Sequence, residues 1–146
     1  MIKSQDIYKA LVDTITAATT AHNINAPVVA DDLEEPIVRP SIKIQIDDDT
    51  ANRDTTHMDL HSFVCRIYYF PPDRYNYRNE HFGMKDCLSE FLKDTLWVGN
   101  FNIDTVDGIS FSKTNGVLIA ELNYEWYEEI PIIQTGEDIE TLEMNI

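Results

Sequence analysis

The sequence predicts an α+β domain: a mainly antiparallel sheet with two helices packed on one side, one long projecting β-hairpin and an extended C-terminal tail. Three observations predict it. Apolar residues recur every three or four positions in two separated stretches, as in amphipathic helices. Elsewhere they alternate with polar residues, as half-buried strands require. Asn115-Gly116 lies between two such alternating runs, and both residue types tolerate the positive φ of a tight hairpin turn.

In order along the chain, Ile7, Leu11, Ile15 and Ala18 form the stripe of a first helix over residues 4–21, with Ser4 as its N-cap and Asp6 favourably placed in the first turn. Asn23 and then Pro27 stop it, and a short extended piece follows at residues 28–30. The connector DDLEEPIVRP carries two prolines that each remove a ladder donor. In SIKIQI, Ile42, Ile44 and Ile46 share one face and Lys43 and Gln45 the other, which is a half-buried strand. An acidic loop then leads into the longest β pattern, residues 57–70, ended by Pro71 and Pro72.

At about 3.3 Å per residue that strand spans about 45 Å, more than the core of so small a domain needs. Its odd-numbered face runs from His57, Asp59 and His61 to Phe63, Cys65, Ile67 and Tyr69, so it is polar at the start and apolar later. The strand is expected to enter the core near residue 62, and paired with SIKIQI it forms a hairpin whose acidic tip stands clear of the domain. A bulge that swaps the faces is the alternative account.

PPDRYNYRNEH is a tyrosine-bearing connector, and residues 80–96 read as a second helix with Met84, Cys87, Leu88, Phe91 and Leu92 as its stripe. Strands follow at 109–113 and 117–127, with Leu118, Ala120, Leu122, Tyr124 and Trp126 on one face. The organisation is a single α+β domain over 1–127 and an acidic C-terminal tail over 128–146. The tail, EEIPIIQTGEDIETLEMNI, has no Lys or Arg yet carries Ile130, Ile132, Ile133, Leu142 and Met144, more apolar surface than a purely solvating segment holds. It is expected to dock on a neighbouring subunit.

The chain has 146 residues, enough to bury a core without disulfides or a structural metal. Cys65 and Cys87 lack CxxC spacing and a basic neighbourhood, and read as buried, reduced packing residues. Eleven basic residues stand against 26 acidic ones, a formal charge of -15 that repels phosphate backbones and anionic lipid. No direct nucleic-acid binding and no membrane association are expected. No run approaches the roughly 18 apolar residues of a membrane span, and MIKSQDIYK lacks the layout of a signal peptide. The chain is expected to stay in the cytoplasm where it is made.

The segment DDDTANRDTTHMDLH, residues 47–61, concentrates the chemistry. His57, Asp59 and His61 are suitable ligand types for zinc, but no fourth ligand accompanies them, and solvated strand faces carry the same residues. Asp47, Asp48 and Asp49 lack the glycine and terminal glutamate of an EF-hand. There is no GxSxG, HExxH or phosphate-cradling glycine loop. No catalytic residue, metal or cofactor is assigned, and the residue pattern reads as a protein-contact surface: Asp47, Asp48, Asp49, Arg53, His57, Asp59 and His61 on the arm, with Ile130, Ile132, Ile133, Leu142 and Met144 on the tail.

The helix that opens the chain, RPSIKIQI, the strand ending FVCRIYYFPP, the helix with LSEFLKD, then NGVLIAELNYEWYEE and the terminal IETLEMNI follow one another as in a known family. The chain resembles the tail terminator, or tail completion, proteins of tailed phages and of related contractile phage-tail-like bacteriocins of Gram-positive bacteria. That resemblance implies a structural protein, assembled in the host cytoplasm, that sits as a hexameric ring on the head-proximal end of the tail tube. It further implies that the ring stops polymerisation and offers a joining surface to the neck or collar. The implied partners are other copies of itself, the tube protein, the sheath and the neck or collar proteins. A head-tail connector is the second reading, and a small α+β enzyme or ligand-binding domain the third; a deep enclosed cavity holding His57 or His61 would favour the third.

Overall fold

The computed structural model describes residues 2–29, 39–73 and 75–130, the Asp48 side chain excepted. The element order is α1 (Ser4–Ala21), β1 (Val28–Val29), β2 (Ser41–Arg53), β3 (Met58–Phe70), α2 (Arg78–Leu92), β4 (Thr95–Val98), β5 (Phe101–Thr114) and β6 (Val117–Glu129). The strands form one curled sheet in the order β1-β2-β3-β6-β5-β4, antiparallel throughout except for the β1/β2 pair. The fold is α+β, as the periodicities predict.

Both helices cover the same face of the sheet, the face that carries the core residues. Leu11 and Ile15 of α1 and Met84, Leu88 and Leu92 of α2 meet Ile42 and Ile44 of β2, Cys65 and Ile67 of β3 and Leu118, Ala120, Leu122 and Tyr124 of β6 in one core cluster. The predicted α1 stripe of Ile7, Leu11, Ile15 and Ala18 is buried. Ser4 is not the N-cap: the helix starts at Ser4, and Lys3 takes the capping position without a side-chain hydrogen bond. Cys65 and Cys87 are both free and buried, and burial pushes the Cys65 thiol up to about 12 and that of Cys87 to about 11.

The acidic stretch expected as a loop is strand. β2 continues through Asp47, Asp48 and Asp49 to Arg53, and the connection to β3 shrinks to residues 54–57, where Asp54 N and Thr55 N donate to Met58 O. β2 can run that far because of a bulge: Asp47 opposes Val64 but Thr50 opposes Ser62, so one extra residue is absorbed. A one-residue insertion swaps faces. Even-numbered residues of β2 face the helices before the bulge, and Ala51 and Arg53 do so after it. β3 itself holds one register against β6 from Met58↔Glu129 to Tyr69↔Leu118, so the swap is in its partner strand, not in β3.

The second helix ends at Leu92, not at residue 96. Thr105 Oγ1 donates to Lys93 O at 2.7 Å and Thr105 N donates to Asp94 O at 3.0 Å, so the carbonyls that would continue the helix are taken by the sheet. Thr95–Val98 then form an edge strand with Leu96 buried, and β5 begins at Phe101, well before the predicted 109. A two-residue bulge at Asp107-Gly108, with φ of 66° and 69°, hides the continuity of β5 from a reader of alternation. Asn115 and Gly116 take φ of 51° and 79°, as the predicted turn requires.

That turn is gripped from below. His81 of α2 is buried, its Nε2 3.0 Å from Gly116 O, so the carbonyl assigns the proton to Nε2. Burial lowers the His81 pKa from its ordinary 6.5, with Lys113 and Lys85 adding to the lowering, while the Gly116 carbonyl and Glu80 act the other way. The unfolded chain therefore takes up this proton at a higher pH than the folded one. The stability His81 lends in its neutral form is complete above pH 6.5 and is lost as pH falls through the lowered folded value. Urea unfolding midpoints measured from pH 8 to pH 5 are expected to fall more steeply for the native chain than for His81→Gln; parallel curves would refute the assignment.

Candidate protein interface

The interface candidates of the arm lie on the distal halves of β2, β3 and β6. The expected two-stranded hairpin is a three-stranded ribbon, since β6 accompanies β3 to Met58↔Glu129 and Ile130 N donates to His57 O at 2.8 Å. The glutamates at 128 and 129, which charge alone joins to the tail, thus lie in the sheet. Three strands are the least that hold a ribbon of this kind without support on both faces.

On its helix-side face, Asp59 lies directly opposite Arg53 on one side and Glu128 on the other. Two carboxylates opposite one another repel, and three groups relieve them. Arg53 Nε stands 3.6 Å from Asp59 Oδ1, His61 Nε2 stands 3.1 Å from Glu128 Oε1, and the backbone N–H of Ile2 donates to Glu128 Oε2 at 2.7 Å. Glu128 thereby ties the start of the chain to the end of the sheet. The His61 ring stacks on Trp126 at 5.1 Å with an interplanar angle of 11°, and its side chain is only 14% exposed. The face stays covered as far as His61, one residue beyond the point the sequence predicts.

Beside this cluster lies an open cleft of about 270 Å³ between the first turn of α1 and the bulged part of the sheet. Its apolar walls are Ile2, Ile7, Ile46, Phe63 and Trp126, and its polar ones include Asp49, Thr50, Ser62 and His61. Phe63 stacks on Tyr124 at 5.1 Å and meets Trp126 edge-on at 5.7 Å. Among the described residues, Trp126 Nε1 and Tyr124 Oη are buried without a hydrogen-bond partner. No group of three His, Cys, Asp or Glu side chains among the described residues converges as a metal site.

The outer face of the sheet carries no helix. Arg66 reaches Asp47 at 2.8 Å and Glu121 at 3.7 Å, and Tyr68 donates to Gln45 at 3.0 Å. Toward the tip, half-buried Met58, Leu60 and Val64 lie beside exposed Tyr127.

The candidates therefore separate. Asp47 is engaged by Arg66 and His61 by Glu128, Arg53 and Asp59 stand 3.6 Å apart with Arg53 exposed, and Asp49 and His57 are exposed along the distal arm. The Asp48 side chain, Ile132, Ile133, Leu142 and Met144 lie outside the described residues, and Ile130 is half-buried at the tip. Sequence reasoning missed Trp126 and Glu128 as partners of His61. The alternation of β6 was the available signal, because it puts 126 and 128 on one face. It also missed exposed Trp97 and Phe101 on the β4–β5 hairpin, which the overlong second helix concealed.

A family described as "Phage tail terminator protein" matches residues 6–136, nearly the whole chain. The chain belongs to the phage tail terminator family. No curated protein matches it. Membership makes this terminator a structural component of a virion tail that interacts with other tail proteins, in a family of structural proteins and not of enzymes. The matched segment takes in α1 from Asp6 onward, the whole of α2, every strand of the sheet and the first residues beyond β6. The cleft that His61 lines is open to solvent, not an enclosed cavity. His57 stands exposed at the tip, outside that cleft.

Proposed function

We propose that the protein forms a homo-hexameric ring on the head-proximal end of the tail tube, ends tube and sheath polymerisation there, and presents the surface that joins the neck or collar. The observation that carries this reading is the three-stranded distal ribbon. A closed ring repeats one heterologous contact around an axis, so each subunit must offer two different surfaces that meet. The ribbon, with exposed Asp49, Arg53 and His57 on its rim and Tyr127 on its uncovered face, supplies one surface. The domain body supplies the other.

The remaining contacts follow from the same reading. The segment beyond β6, with Ile132, Ile133, Leu142 and Met144, docks on the neighbouring subunit. The acidic residues of the arm meet a surface of opposite charge on the tube, because like charges brought together there would cost several kcal/mol. A phage lacking this gene is expected to produce tails of uncontrolled length without proper neck attachment. Normal-length tails in electron micrographs of the deletion would overturn the reading. A head-tail connector would instead label the neck above a tail of correct length, so the protein's position in the assembled particle separates the two.

A further inference from the structure

The cleft beside His61 has apolar walls and an opening to solvent, and nothing among the described residues fills it. A volume of about 270 Å³ has room for a pair of aliphatic side chains and sits at the low end of small-molecule pockets. An extended peptide suits such a site better than a lipid or a hydrocarbon, because its backbone N–H and C=O groups match the polar wall of Asp49, Thr50, Ser62 and His61 while its side chains meet the apolar one.

Sixteen residues follow Ile130, and the first six, PIIQTG, are uncharged. Ile132 and Ile133 are therefore the apolar pair in the segment that can be buried without taking a carboxylate with it; Leu142 and Met144 each adjoin Glu143. The family match extends to residue 136, so it includes Ile132 and Ile133 and stops before the acidic run.

Reach decides whose cleft they enter. β6 runs toward the tip, and Trp126 lies four strand residues, about 13 Å, behind Ile130. Ile130 is held at the tip by His57 O. Ile132 and Ile133 extend at most about 10 Å beyond it, short of the path back to Trp126, and reversing direction after Ile130 would use up part of that reach, so a neighbour's cleft is the easier one to fill. We propose that the cleft lined by Ile46, Phe63 and Trp126 receives Ile132 and Ile133 of a neighbouring copy, each subunit handing its segment to the next. This rests on the ring reading and names the receiving site within it.

The test uses two full-length variants, Ala51→Cys, at the exposed lip of the cleft, and Ile133→Cys. A disulfide joins them only where the Cα atoms come within about 7 Å. The native thiols are buried and do not compete. Oxidising the mixed variants, alone and on purified tail tubes, is expected to give a covalent dimer that neither variant gives by itself. Thr50→Cys replaces Ala51→Cys if circular dichroism shows that the first variant does not fold. No dimer in any mixture overturns the proposal. So does a double variant that closes within one chain, which would put the segment in its own cleft. An oligomer by light scattering that does not cross-link removes the proposed seat and leaves the ring standing. Tails of normal length in the gene deletion remove the ring itself.

Discussion

Phe63→Ala is expected to lower the stability of the fold by about 3–5 kcal/mol, the usual effect of truncating a fully packed aromatic side chain. Phe63 is 3% exposed and holds Tyr124 and Trp126 by ring contacts where the helix-covered sheet passes into the distal ribbon. Its removal enlarges the cleft beside it and strips Tyr124 and Trp126 of their ring contacts. Against a total stability of about 5–15 kcal/mol, such a loss leaves the variant only marginally folded. The denaturant midpoint should fall with the slope unchanged. A loss under about 1 kcal/mol would mean that the residue is not packed as described.

Ala120→Asp is expected to be worse. Ala120 is fully buried at the centre of β6, between Ile67 of β3 and Phe111 of β5, and no cation or donor among the described residues is placed to receive a carboxylate there. An unpaired buried charge costs at least about 3 kcal/mol, and the variant should be recovered unfolded or aggregated. Asn123→Asp makes the matching control, three residues along the same strand on the exposed outer face, where substitution changes stability by no more than about 0.5 kcal/mol. Circular dichroism and thermal melts compare the two. Equal tolerance at both positions would refute the assignment of faces, and with it the placement of both helices on one side of the sheet.

Much of this architecture is legible in local pattern. The stripe of α1, the alternation in SIKIQI and in β6, and the positive φ at Asn115 and Gly116 are each set by residues a few positions apart, so periodicity and turn chemistry report them directly. The shared face of Asp59 and His61 with Phe63 and Cys65 is likewise an arithmetic consequence of the strand period, whereas His57 falls in the turn before β3. The end of α2 is different. Nothing within residues 93–96 stops a helix, and it is Thr105, ten or more residues on, that takes the Lys93 and Asp94 carbonyls into the sheet. β5 was obscured for a related reason, since the Asp107-Gly108 bulge is excused only by the strand beside it.

The candidate site divides in the same way. The acidic stretch reads as a loop because aspartates disfavour strands, yet pairing with β3 overrides that propensity and the bulge between Asp47 and Thr50 redirects its side chains. That His61 is a covered partner of Trp126 and Glu128, and not an exposed contact, depends on residues 65 and 67 positions away. By itself the sequence determined the fold class, the two apolar helix stripes, the core faces of the long strands and the acidic charge of the chain. Tertiary structure alone decided where the helix ends, that the arm has three strands, and that a cleft opens beside His61. Local pattern carries the first set because each depends on near neighbours; long-range pairing carries the second, because register between distant strands is chosen by the packing of the whole sheet.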